Sequence, residues 1–78
     1  MKNIKIYSTP TCVYCVKAKE FFKKNNLAFT EINVAEDDAA FQEMYLKSGQ
    51  MGVPVIAVDD EFIPGFNPNR LKQLLGIS

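Results

Sequence analysis

The spacing of hydrophobic residues changes twice in the first half of the chain, and this change constrains the fold more than any other feature. Apolar and polar residues alternate over residues 3–8, which predicts a β-strand. A helical spacing follows over residues 12–25, and alternation returns over residues 28–34 as a second strand. A strand, a helix and a strand in this order predict a right-handed crossover between two parallel strands.

The second half of the chain extends this unit to a sheet with helices on both faces. This half begins with a predicted helix that runs from the acidic segment 36–38 to Gly49. Two predicted strands follow over 55–58 and 61–64, joined by a turn at Asp59 and Asp60. A third helix is predicted to start at Asn67 and Pro68. The order β-α-β-α-β-β-α predicts a three-layer α/β/α sandwich around a four-stranded mixed sheet with three helices. A chain of 78 residues has room for one domain, so we expect residues 1–78 to form a single domain.

The composition excludes several classes of function. Nine Lys and Arg balance nine Asp and Glu, which leaves neither the basic excess of a nucleic-acid-binding protein nor a polybasic membrane anchor. No apolar run approaches the roughly 20 residues of a membrane-spanning helix, and the N-terminus does not resemble a signal peptide. The sequence has no His and therefore no His base or His-paired nucleophile, so the chemistry must reside in Cys12 and Cys15.

These two cysteines lie directly after a predicted strand, at the start of a predicted helix that Thr11 can cap. Their separation is less than one helical turn, so the two sulfur atoms can form a disulfide. Cys12 lies where unpaired N–H groups and the helix dipole favour a thiolate, with a pKa expected at roughly 3.5–7.5. Cys15 is predicted on the core-facing side, so Cys12 would attack a disulfide and Cys15 would resolve the mixed disulfide. The residues predicted on that face are Tyr14, Cys15, Ala18, Phe21 and Phe22.

The residues alone leave other interpretations of these features open. Both cysteines could be inert core residues or form a structural disulfide, although closing so small a loop adds little stability. Two thiolates cannot complete a zinc shell, so a metal site would need a second chain or an outside thiol, as in a bridged iron–sulfur cluster. Gly52, Val53 and Pro54 precede the third strand, where a turn with a trans peptide bond is the default.

Three segments, taken together at their separations, resemble the glutaredoxin family. They are Tyr7-Ser8-Thr9-Pro10-Thr11-Cys12-Val13-Tyr14-Cys15, Ser48-Gly49-Gln50-Met51-Gly52-Val53-Pro54 and Pro64-Gly65-Phe66. The resemblance covers essentially the whole chain and implies the thioredoxin fold, with sheet order 2-1-3-4 and a cis peptide bond before Pro54. It also implies reduction of protein disulfides and glutathione mixed disulfides. Glutathione would then be the electron donor and co-substrate, with no permanently bound cofactor or metal.

The resemblance further implies roles for individual residues. Cys12 resembles the nucleophile and Cys15 the resolving thiol, while the backbone of Val53 and Pro54 resembles the segment that pairs with the substrate. The other residues implied to bind substrate or glutathione are Thr11, Val13, Tyr14, Gln50, Gly65, Phe66 and Asn67.

Three of these residues have more specific implied roles, each with an alternative. Tyr14 resembles an aromatic residue that lines the substrate groove, and the alternative is core packing. Gln50 resembles a donor to the glycyl carboxylate of glutathione, and the alternative is a solvated loop residue. Asn67 resembles the position that binds the γ-glutamyl carboxylate at a helix N-terminus, and the alternative is plain helix capping.

Departures from the family pattern leave the electron donor open. Many glutaredoxins have Lys or Arg where this chain has Thr9, and Pro where it has Val13. The usual Gly-Gly followed by acidic residues is replaced by Pro-Gly-Phe-Asn-Pro at residues 64–68. Among them, Cys12-Val13 and Gly65-Phe66 with Pro68 resemble the redoxins that take electrons from thioredoxin reductase and serve ribonucleotide reductase or peroxide-reducing enzymes.

The resemblance also predicts partners and location. We expect a cytoplasmic monomer whose partners are glutathione and disulfide-containing proteins, and neither nucleic acid nor a membrane. The alternative from another class of function is an iron–sulfur carrier, in which a dimer holds a cluster through Cys12 and two glutathiones. Colour distinguishes it, because an anaerobically purified cluster protein is brown.

Overall fold

The computed structural model describes residues 3–77 and contains a mixed four-stranded sheet. Its elements are β1 (Ile4–Ser8), α1 (Val13–Lys24), β2 (Thr30–Asn33), α2 (Asp38–Ser48), β3 (Val55–Val58), β4 (Glu61–Pro64) and α3 (Pro68–Leu75). β1 pairs in parallel with β2 and antiparallel with β3, and β4 is antiparallel to β3. The order β2-β1-β3-β4 confirms the sheet order 2-1-3-4 that the resemblance implies. Residues 1, 2 and 78 of the predicted single domain lie outside the described residues.

The strand register brings three connecting segments to one edge of the sheet. Tyr7, near the carboxyl end of β1, lies opposite Val55 at the start of β3. Val55 in turn lies opposite Pro64 at the end of β4. The connections that precede α1, β3 and α3 therefore meet at this end of the sheet. We call it the cysteine edge, and it comprises residues 9–12, 49–54 and 65–67.

Hydrophobic side chains pack on both faces of the sheet. On one face, Phe22 of α1 and Leu71 of α3 pack with alternate residues of β1 and β3. On the other face, Met44 of α2 packs with Tyr7 and Ala57. All four residues of β3 are buried, because this strand is central and covered on both sides. The packing confirms the predicted three-layer α/β/α arrangement.

The first helix differs from the sequence prediction in two details. It begins at Val13, and its N-cap is Cys12 rather than Thr11. The reason is that Cys12 has an extended backbone, with φ −85° and ψ 111°, and its own sulfur accepts the N–H of Cys15. Tyr14, predicted on the buried face, is 61% exposed. Neighbouring helical residues point about 100° apart, so a buried stripe centred on Cys15 leaves its neighbour outside.

The remaining elements follow the predictions closely, with small differences. β2 is shorter than the predicted 28–34, and in α2 Met44 is buried whereas Tyr45 is exposed. Gly49 ends α2 in the left-handed region at φ 73°, as its position predicted. Asn67 caps α3, because its Oδ1 atom accepts the backbone N–H of Arg70 at 3.1 Å.

Candidate redox site

Cys12 and Cys15 form a disulfide at the cysteine edge, with their Cα atoms 5.2 Å apart. The two sulfur atoms have different surroundings. Cys12 is the N-cap of α1 and is half-buried, whereas Cys15 is only 1% exposed and belongs to the core between α1 and the sheet. A substrate arriving from solvent therefore meets the sulfur of Cys12 first, with Cys15 directly behind it.

The electrostatic environment of Cys12 favours a negative charge on its sulfur. The sulfur accepts the backbone N–H of Cys15 at 3.1 Å, as an N-cap oxygen would in other helices. The first turn of α1 contains no acidic residue that would oppose this charge. The partial positive charge of the helix N-terminus acts at the same point. These features stabilise a thiolate at Cys12 in the reduced protein.

Val53, Pro54, Gly65 and Phe66 are among the predicted site residues that lie at the cysteine edge. The peptide bond between Val53 and Pro54 is cis, as the resemblance implies. The carbonyl of Pro54 accepts the N–H of Gly65 at 2.8 Å, which links the segments before β3 and after β4. Val53 and Phe66 pack against the same hydrophobic cluster as Cys12. Backbone groups and apolar side chains from these two segments thus lie against the same hydrophobic cluster as Cys12.

The first turn of α1 presents an apolar surface beside Cys12. Val13 is 66% exposed, and Tyr14 is exposed to a similar degree. The Lys17 ammonium lies 5.2 Å from the centroid of the Tyr14 ring, within the range of a cation–π contact. Core packing is therefore the wrong interpretation for Tyr14, and its role at the substrate groove stays a prediction. Thr11 is also exposed, in the turn that precedes the helix.

Gln50 and Asn67 both use their side chains within the protein. The capping alternative is confirmed for Asn67, whose binding of a carboxylate stays a prediction. Gln50 is half-buried, and its backbone N–H donates to Ser48. Its Nε2 donates to the carbonyl of Gly52 at 3.1 Å in a solvent-exposed hydrogen bond, so its binding of a carboxylate stays a prediction. The sequence analysis missed this role of Ser48. A hydroxyl residue at the last helical position, before a helix-ending glycine, was the available signal.

A second missed feature is a polar bridge behind the start of α1. Ser8, at the end of β1, is 1% exposed and donates its hydroxyl hydrogen to Glu31 of β2 at 3.0 Å. Lys19 of α1 donates to the same carboxylate oxygen at 2.8 Å. The hydrogen bond from Lys19 is the largest cause that lowers the pKa of the Glu31 carboxyl. Sequence spacing could not pair these residues, because they lie on three different elements.

A third polar contact joins the sheet to α2. The hydroxyl of Tyr7 in β1 donates to the Glu43 carboxylate at 2.6 Å. Burial, and next the hydrogen bond to Glu43, raise the pKa of Tyr7, so this hydroxyl keeps its proton at neutral pH. The contact anchors α2, whose carboxyl end leads into the cysteine edge.

Three further observations bear on the range of possible functions. Among residues 3–77, no helix is long and apolar enough to cross a membrane. Within the same range, no group of three or more His, Cys, Asp and Glu side chains is arranged to hold a metal ion. A cavity of about 660 Å³, lined by residues such as Asn3, Phe29 and Leu75, lies at the opposite end of the sheet from the cysteines.

The sheet order, the cis proline and a half-buried first cysteine in front of a buried second one define a dithiol redox protein of the thioredoxin superfamily. A family model described as Glutaredoxin matches residues 4–63. An uncharacterized glutaredoxin-like 8.6 kDa protein in the rubredoxin operon of Clostridium pasteurianum is 49% identical over 72 residues, covering 92% of this chain and 96% of that protein. Glutaredoxin 3 of Escherichia coli is 35% identical over 65 residues, covering 83% of this chain and 78% of that protein. The chain belongs to the glutaredoxin family.

Solved structures support the same assignment of the fold. A crystal structure of a single-site variant of the thioredoxin-like protein BC3987 has a TM-score of 0.90 and 38% identity, covering 100% of both chains. NrdH-redoxin of Escherichia coli, a glutaredoxin-like protein with a thioredoxin-like activity profile, has a TM-score of 0.83 and 28% identity, covering 92% of this chain and 93% of that one. This chain is therefore a glutaredoxin-like oxidoreductase with the thioredoxin fold and a Cys12–Cys15 disulfide.

Proposed function

We propose that this protein is a dithiol oxidoreductase that reduces protein disulfides and glutathione mixed disulfides, with glutathione as its electron donor. The observation that carries the proposal is the unequal environment of the two sulfur atoms. Cys12 is accessible at a helix N-terminus, and Cys15 is buried within bonding distance behind it. A nucleophile and a resolving thiol require this difference.

The proposed reaction begins with the thiolate of Cys12 attacking one sulfur of the substrate disulfide. A bond forms between that sulfur and Cys12, and the substrate disulfide breaks to release the first substrate thiolate, which takes up a proton. Cys15 then loses its proton and attacks the sulfur of Cys12, which expels the second substrate thiol. The substrate gains two electrons and two protons, and the protein is left with the Cys12–Cys15 disulfide. Two molecules of glutathione return it to the dithiol and become oxidised glutathione.

The segment before β3 supports the binding of an extended substrate beside Cys12. Neither the N–H nor the carbonyl of Val53 has a hydrogen-bond partner among the described residues. Both groups are available to pair with a substrate backbone, in the manner of an added strand. Val13, Tyr14 and Phe66 would contact the substrate side chains, and the cap of α3 at Asn67 would bind a carboxylate.

A redoxin reduced by thioredoxin reductase is the second candidate, and specific observations favour it. Thr9 offers no positive charge for glutathione, and the side chain of Gln50 is already bonded to Gly52. The similarity to NrdH-redoxin, with its thioredoxin-like activity profile, points in the same direction. In this case the physiological substrate would be a protein such as ribonucleotide reductase or a peroxide-reducing enzyme.

The decisive experiment measures turnover of a glutathionylated peptide with two regenerating systems. One contains glutathione with glutathione reductase, and the other contains thioredoxin reductase, with NADPH as the final reductant in both. Turnover with glutathione supports the first proposal. Reduction by thioredoxin reductase without turnover on glutathione supports the second. If neither system supports turnover while Cys12 is reduced and accessible, the proposed activity is wrong.

The proposal extends to cofactors, assembly and location. The two thiols perform the exchange themselves, so glutathione takes part as a co-substrate and no bound cofactor or metal is required. A monomer suffices, because both cysteines lie in one chain. A reducing compartment such as the cytoplasm suits a dithiol that must be regenerated after each turnover.

A further inference from the structure

A chain of hydrogen bonds runs from the end of α2 towards Val53. The Ser48 hydroxyl donates to the carbonyl of Met44 at 2.6 Å and accepts the backbone N–H of Gln50 at 3.1 Å. The Nε2 atom of Gln50 then donates to the carbonyl of Gly52 at 3.1 Å. Both bonds of Ser48 are partly shielded from solvent. The loop after α2 is therefore held by its own side chains.

The last of these bonds fixes the peptide unit that joins Gly52 to Val53. This peptide is trans, since Val53–Pro54 is the one cis bond in the described part of the chain. The carbonyl and the N–H of a trans peptide point in opposite directions. Holding the Gly52 carbonyl towards Gln50 therefore turns the N–H of Val53 the other way. On the far side of the segment, Gly65 holds the carbonyl of Pro54.

We propose that Gln50, supported by Ser48, is a positioning residue that orients the N–H of Val53 for a disulfide substrate, and is not a ligand of the glycyl carboxylate of glutathione. This inference rests on the proposed function, in which the substrate pairs with Val53. If Gln50 bound the glycyl carboxylate of glutathione, its Nε2 would have to share or give up the hydrogen bond to the Gly52 carbonyl. A positioning residue instead serves every substrate that pairs with Val53, whether or not it contains glutathione.

The test uses prereduced protein in single turnovers, so that no electron donor is involved. One substrate is a peptide with an internal disulfide and no glutathione, and the other is a glutathionylated peptide. Gln50→Met removes the donor and keeps the side-chain length, while Gln73→Met changes an exposed residue of α3 as the matched control. For Gln50→Met we expect the half-saturating concentration of both substrates to rise about three- to tenfold. The maximal rate and the alkylation rate of Cys12 should stay unchanged, and the control should match wild type.

Ser48 variants and the dynamics of Val53 complete the test. Ser48→Ala should weaken the binding of both substrates, as Gln50→Met does. Ser48→Thr keeps the hydroxyl and should bind both substrates as wild type does. In the free protein, the NMR order parameter of the Val53 amide should fall in Gln50→Met and Ser48→Ala. The proposal is overturned if Gln50→Met weakens the binding of the glutathionylated peptide alone. It is also overturned if the order parameter of the Val53 amide is unchanged in both variants. A wild-type protein that reduces neither peptide would overturn the proposed function as well.

Discussion

The two halves of the redox site are built in different ways. The half at the start of α1 carries its chemistry in two side chains, Cys12 and Cys15, whose roles follow from their places in one helix. The half formed by residues 48–54 carries no charged side chain, and presents backbone groups that its own side chains hold in place. In this site, covalent chemistry therefore depends on residue type, whereas recognition depends on backbone orientation. Changes in the first half should therefore affect reaction steps, and changes in the second should affect affinity.

The largest effect is expected from Cys12→Ser. A serine hydroxyl is not ionised at neutral pH, so no thiolate attacks and no mixed disulfide forms. All disulfide exchange should fall to the uncatalysed rate, for protein disulfides and for glutathione mixed disulfides alike. Turnover assays on both substrates measure this loss. A denaturant midpoint close to that of wild type would show that the fold is retained. Residual turnover on either substrate would mean that Cys12 is not the sole nucleophile.

Cys15→Ser should separate the two kinds of substrate. Without the resolving thiol, a second glutathione can still release the mixed disulfide formed by Cys12, so deglutathionylation should continue. Reduction of a protein disulfide needs the internal thiol and should slow by at least about tenfold. Mass spectrometry should find the mixed disulfide with the protein substrate accumulating. Equal losses on the two substrates would contradict the division of roles between Cys12 and Cys15.

Thr9→Lys adds a positive charge at the cysteine edge, where residues 48–54 contain no charged side chain. A charge-assisted hydrogen bond to a carboxylate is worth about 1.5–3 kcal/mol, so the apparent affinity for glutathione should rise about tenfold or more. The maximal rate should change little, because the cysteines are untouched. Kinetics over a range of glutathione concentrations give both quantities. Thr30→Lys places the same charge in β2 and is the control, and an equal gain there would exclude a local effect.

The smallest effect is expected from Glu31→Gln, which alters the bridge behind α1. The carboxylate is partly exposed, so its bonds to Lys19 and Ser8 should contribute about 0.5–1 kcal/mol to the free energy of unfolding at neutral pH. Because folding lowers the pKa of Glu31, this contribution is present above the unfolded value of 4.5 and is lost as the pH falls through the lower, folded value. Denaturant unfolding of wild type and variant at neutral and strongly acidic pH measures it. Glu20→Gln on α1 should show no comparable difference, and a Glu31 effect that grows in acid would contradict the assigned bond.

Most of the fold could be predicted from the sequence, because most of its elements depend on patterns among neighbouring residues. The spacing of Ile4 and Ile6, the capping by Asn67 and the left-handed Gly49 each depend on a few neighbouring residues. The order of the strands came from the family resemblance, because pairing between distant segments leaves no local pattern. The helix boundary at Cys12 was misplaced by one residue, since a sulfur as the capping acceptor is not among the usual signals.

The candidate site likewise contains residues that could be predicted from the sequence and contacts that could not. Cys12 and Cys15 could be identified from residue type and spacing, and the family resemblance supplied Val53 and Pro54. The bridge through Glu31 and the bonds of Ser48 could not be predicted, because they depend on which side chains meet after the elements have packed. A polar residue in a sequence does not show whether its partner is solvent, a ligand or the chain itself. For this reason the resemblance could assign Gln50 to glutathione without showing that its side chain also donates to the Gly52 carbonyl, and the glutathione role stays a prediction.

The start of α1 should make Cys12 a thiolate at neutral pH. The ultraviolet absorbance of the thiolate, followed against pH in Cys15→Ser, reports its ionisation, because Cys12 is the only thiol that remains in this variant. The helix N-terminus and the N–H of residue 15 should bring the midpoint to roughly 3.5–7.5. The absorbance should vanish in the additional variant Cys12→Ser. A midpoint of about 8.5, the value of an unperturbed cysteine, would show that the start of α1 does not stabilise the thiolate.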